Sequence, residues 1–109
     1  MPSGRVLIIA PSIDLRKSLV FALEAEGYVV TSLAVLPSED VAGSYDCVVI
    51  DHKAATGSRE AVLDFIVKAR RVVLLAGTPQ PWLISHVTAV VPTPLRGDAL
   101  GQAVRLAVN

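Results

Sequence analysis

Five short apolar runs, separated by stretches in which apolar residues recur at helical spacing, constrain this chain more than any other feature. They cover residues 5–10, 28–33, 46–50, 72–76 and 88–91, and most of them carry no polar residue between their ends. A strand wetted on one side alternates apolar with polar residues, so runs without alternation belong to strands covered on both faces. Strands of that kind, joined by helical stretches, call for an α/β fold: a parallel sheet with helices on both faces and right-handed crossovers. The 109 residues suffice for one such domain. A composition 52% hydrophobic and only 18% charged agrees with a sheet buried on both sides.

The connections carry their own signals. Leu15, Leu19, Ala22 and Leu23 give one apolar face to a helix over residues 13–26, with Arg16, Lys17, Glu24 and Glu26 on the other face. Ser12 is placed to cap its start and Gly27 to end it. Residues 37–42 have room for only a short helix before Gly43-Ser44, and residues 54–58 read as a loop into a helix with Val62, Phe65, Ile66 and Ala69 inward. Thr78 as N-cap with Pro79 at the first helical position predicts a further short helix through Trp82 to Ser85. Thr93-Pro94 repeats that signal ahead of a final helix turning Leu100, Ala103, Val104 and Ala107 inward.

In open parallel sheets the working crevice lies beyond the carboxyl ends of the strands. Asp51, delivered by the third run, should meet the loop after Ala10, the Ala76-Gly77 turn and residues 92–94 there. Ten basic and ten acidic residues cancel, and no cationic run exceeds the pairs Arg16-Lys17 and Arg70-Arg71, so no footprint for nucleic acid is present. The apolar runs are far too short to cross a membrane, and Met-Pro-Ser-Gly-Arg does not begin a signal peptide; a cytoplasmic protein is expected. The single cysteine, Cys47, excludes an internal disulfide and reads as core packing. The first loop holds no glycine, which excludes a dinucleotide or P-loop phosphate cradle, and His52 and His86 lack partners at metal-ligand spacing.

Arg-Val-Leu-Ile-Ile in the first strand, Leu-Glu-Ala-Glu-Gly-Tyr-Val-Val across the first helix-to-strand turn, Tyr-Asp-Cys-Val-Val-Ile-Asp in the third strand and Thr-Pro-Leu before the last helix stand in a telling order. In that order and spacing they resemble the receiver domain of two-component response regulators, over nearly the whole chain. The resemblance implies a flavodoxin-like, doubly wound five-stranded sheet with, here, a shortened fourth helix. It also implies that Asp51 stands where the family accepts a phosphoryl group from a histidine kinase. The family surrounds that aspartate with an acidic pair that helps hold Mg²⁺, a Thr or Ser ending the fourth strand, and a Lys before the proline after the fifth. Those positions fall on Ala10 and Pro11, on Ala76, and on Thr93.

The losses matter because phosphoryl transfer to a carboxylate runs on positioning and charge stabilisation, which in this family the metal and the lysine supply. Mg²⁺ binding is expected to be lost or weak, since one carboxylate makes a poor octahedral anchor. Asp51 is then open to three readings: working phosphoacceptor, relic, or structural carboxylate capping backbone N–H groups. Lys53 is the candidate charge partner, against the plainer reading of a solvated loop lysine. The expectation is a phosphorylation-independent receiver-like module, not an enzyme, that binds protein partners or an attached output domain as one part of a longer chain, with a homodimer left open. Two alternatives stay on the table: a phosphorylatable receiver with Asp51 as acceptor, and a flavodoxin-like module that binds a small molecule.

Overall fold

The structure, a computed structural model, describes residues 4–55 and 58–108. Five parallel strands, β1 (Arg5–Ile9), β2 (Val29–Leu33), β3 (Cys47–Asp51), β4 (Val72–Leu75) and β5 (Ala89–Val91), form one sheet in the order β2-β1-β3-β4-β5. This is the doubly wound flavodoxin-like arrangement. The three central strands carry the fully apolar runs: Val6 to Ile9, Cys47 to Ile50 and Val73 to Leu75 are completely buried. β2 is a margin strand, and its polar Thr31 and Ser32 are exposed.

Side chains alternate across each strand and so divide the core into two layers. Val6, Ile8, Cys47, Val49, Val73 and Leu75 face α1 (Ile13–Ala25) and α4 (Ala99–Val108), which contribute Leu19, Leu23, Leu100, Val104 and Ala107. Leu7, Ile9, Val48, Ile50, Val72 and Leu74 face α2 (Arg59–Lys68) and α3 (Pro81–Ile84), which contribute Val62, Phe65, Ile66 and Leu83.

The caps of α1 are those expected. Ser12 Oγ accepts from the Leu15 N–H at 3.3 Å. At the other end Gly27 takes φ 102°, and the Tyr28 and Gly27 N–H groups bond back to the Leu23 and Glu24 carbonyls, closing the turn that a left-handed glycine permits. On its inner face, however, Ala22 is exposed and Val20 packs in its place.

Three connections differ from expectation. No helix forms at residues 37–42; the crossover from β2 to β3 is irregular but for one 3₁₀ turn, Ala42–Ser44, that buries Ala42. α3 starts one proline later than Thr78-Pro79 implies, with Gln80 as cap and Pro81 at the first position, and is a single turn long. α4 starts at Ala99, not after Thr93-Pro94, because Gly97 takes φ 56°, a conformation through which a right-handed helix cannot pass. Of the loop expected at residues 54–58, Thr56 and Gly57 lie outside the described residues.

Candidate functional site

β3 ends on Asp51, in register with Leu75 of β4, and the carboxylate is 3% exposed. A charge so buried needs a partner, and the next residue supplies it. His52 Nδ1 lies 3.2 Å from Asp51 Oδ1 and 3.2 Å from the Leu75 carbonyl oxygen. A carbonyl only accepts, so Nδ1 carries the proton and donates to Leu75, which fixes the tautomer, while Asp51 Oδ1 lies in contact beside the same nitrogen. The 3₁₀ turn that His52 opens, His52–Ala54, receives no cap bond from the Asp51 side chain. Lys53 makes no ion pair with Asp51 among the described residues. The turn folds the His52 ring over the end of β4, beside Asp51, and leaves Lys53 exposed.

The other expected positions do converge on this end of the sheet. Ala10 follows β1 and is fully buried, with its N–H bonded to the Leu33 carbonyl. Arg16 reaches back from α1 to donate to the carbonyls of Ala10 at 2.8 Å and Pro11 at 3.4 Å. Where the resemblance puts two carboxylates, the chain therefore has a methyl group, a proline ring and a guanidinium. Sequence periodicity put Arg16 on the outer face; the signal that could have found it is its place one turn inside the helix, from where a long side chain reaches loop carbonyls.

Ala76 is buried and bonds through its N–H to the Val91 carbonyl. Thr93 is half-buried, preceding a cis Thr93–Pro94 peptide, and a Cβ on Gly77 would stand 3.3 Å from its carbonyl oxygen. Thus Ala10, Asp51, Ala76 and Thr93 stand at or just beyond the carboxyl ends of four adjacent strands, and Asp51 is the one carboxylate among them. No three His, Cys, Asp or Glu side chains among the described residues lie close enough to share a metal ion.

Beside Asp51, on the α2 side of the sheet, opens a cleft of about 430 Å³ lined by His52, Lys53, Arg59, Thr78, Gln80 and Trp82. The Arg59 guanidinium lies 4.8 Å from the centre of the Trp82 ring, and the indole N–H donates to Gln80 Oε1 at 2.8 Å. Trp82 is partly buried against the core layer that faces α2 and α3, and its stack with Arg59 had no sequence signal. Cys47 is buried in the strand as expected, and burial, with Asp46 adding to it, pushes its thiol up to about 12.

No protein-family model matches the chain, and no curated protein matches it in sequence. Solved structures match it closely in fold. The signal receiver domain of a putative LuxO repressor protein from Vibrio parahaemolyticus superposes with a TM-score of 0.78 at 20% identity, over 98% of this chain and 91% of that one. The non-phosphorylated HemR receiver domain from Leptospira biflexa gives 0.74 at 16% identity, over 96% and 94%. A putative pilus assembly protein from Burkholderia thailandensis gives 0.68 at 19% identity, over 94% and 96%. The chain therefore has the receiver fold. No described helix is long and apolar enough to cross a membrane.

Proposed function

We propose that this chain is a receiver-like signalling module that acts by binding protein partners, without phosphorylation of Asp51 and without an enzymatic activity of its own. The observation that carries the reading is the surroundings of Asp51: a buried carboxylate in contact with His52, with Ala10, Pro11, Ala76 and Thr93 where the resemblance expects metal-holding acids, a hydroxyl and a lysine. With one carboxylate and the Arg16 guanidinium at the neighbouring loop, the donor set does not fit Mg²⁺, which needs several oxygens in octahedral array. Without the metal, and with Thr93 at the position where the resemblance expects a lysine, phosphoryl transfer lacks the stabilisers the family uses, a loss of several kcal/mol of transition-state stabilisation.

Two further observations support a binding role. Ile13 and Phe21 stand exposed on α1 at 54% and 77%, giving a soluble partner apolar surface to cover. The same fold also occurs in a protein described as a pilus assembly component, so it is not confined to proteins described as receivers. An attached output domain, a separate protein or a second copy would each suit such a surface, and the reading places the module in the cytoplasm.

The test is to incubate the protein with Mg²⁺ and acetyl phosphate and read its intact mass. The expected mass is unchanged. A stoichiometric phosphoryl adduct that disappears in Asp51→Asn would overturn the proposal in favour of a working phosphoacceptor.

A further inference from the structure

The cleft beside Asp51 has a chemistry that the partner-binding role does not use. Three of its side chains, His52, Lys53 and Arg59, are cationic or can become so, and no carboxylate lines it. Neither Lys53 nor Arg59 forms an ion pair among the described residues, whereas Lys68, Arg70 and Arg105 are all paired with acids. Two uncompensated cations converging on one concavity raise its affinity for anions.

Arg59 is also held ready. Its guanidinium stacks over Trp82, an arrangement that restrains the plane while leaving the edge N–H groups free to donate. None of those N–H groups has a hydrogen-bond partner among the described residues. Such a fork matches two oxygens of a phosphate. Arg59 opens α2, a ten-residue helix capped by Ser58, so the positive end of the helix adds to the same field. Leu74, Leu83, Ala55 and Pro79 supply an apolar floor, and the Thr78 hydroxyl and Gln80 amide stand at its rim.

The geometry points to a binding site for an organic phosphate of mononucleotide size in the cleft between the start of α2 and the β4–α3 loop, with Arg59 and Lys53 holding the phosphate and the apolar floor holding the body. A volume of about 430 Å³ suits a ligand of that size. The site stands on residues other than Asp51, so its binding test is read separately from the mass test for phosphorylation.

Trp82 is the only tryptophan in the chain and lines the cleft, so its fluorescence reads occupancy directly. Titration with adenosine monophosphate should give a saturable change with a midpoint below about 1 mM. Inorganic phosphate should compete more weakly, and adenosine should give no change. Arg59→Gln and Lys53→Gln should each weaken binding roughly tenfold. Both residues are exposed, so the melting temperature without ligand should hold, and a ligand-induced rise in it gives a second reading independent of fluorescence. The proposal fails if adenosine monophosphate gives neither signal, if phosphate or adenosine binds as tightly as the nucleotide, or if binding survives the double substitution.

Discussion

Burying a carboxylate at the end of a strand costs free energy unless a polar group meets it, and at Asp51 the group in contact is a neighbouring imidazole. His52→Ala should lower stability by about 1–2 kcal/mol in urea denaturation, because it leaves Asp51 Oδ1 without its partner. In an Asp51→Ala background the same change should cost less than half as much; equal costs would show that the two side chains do not interact. Cys47 allows a second prediction. Its thiol titrates near 12 in the folded protein and near 9.0 when unfolded. Below pH 9 both states keep the proton, and the thiol's contribution is fully present. As pH rises from 9 toward 12 the unfolded chain releases a proton that the folded one retains, so stability falls across that window. Folded protein should also resist Ellman's reagent at pH 8 and react stoichiometrically once unfolded. Rapid labelling of the native protein would contradict the burial that sets this shift.

Strands and capped helices were legible because each rests on local chemistry. Apolar runs without alternation placed four of the strands, composition placed β2, and Ser12 with Gly27 placed both ends of α1. The starts of α3 and α4 were not legible, because Thr-Pro is only a permissive signal. At residues 78–79 a second proline two positions on provides the better start, and at residues 93–94 the backbone runs on into Gly97, which turns left-handed before the helix can begin. The site divides in the same way. Sheet topology predicted that Asp51, Ala10, Ala76 and Thr93 would meet, whereas the bonds made by His52 and Arg16 depend on side-chain reach that periodicity does not encode. Gly97 gives this scale its test. Nothing lies within 4 Å of a Cβ added there, so the cost of Gly97→Ala is conformational alone. It should be about 1 kcal/mol in chemical denaturation, and Gly97→Asn should recover part of it. No loss in the alanine variant would mean that the turn at residue 97 is not left-handed.

The molecule as a whole is lopsided. One face of the sheet lies under two helices of 13 and 10 residues. The other lies under one helix of 10 residues, a single turn and the 3₁₀ segment around Ala42. The lightly covered face carries both the cationic cleft and the irregular crossover, so it is where the chain departs most from the packing that the rest of the sheet imposes. Ser38, Glu39 and Asp40 on that crossover are exposed, and the central strands are buried without help from them. A graft of several Gly-Ser residues between Ser38 and Glu39 should therefore leave the far-ultraviolet spectrum intact and the melting temperature within a few degrees, since lengthening a surface loop costs little chain entropy. Collapse of the spectrum would mean that this loop is a strut. If it is not, natural variants of this chain are free to diverge most in length there, and fluorescent tags or affinity handles can be housed at that point without disturbing either Asp51 or the neighbouring cleft.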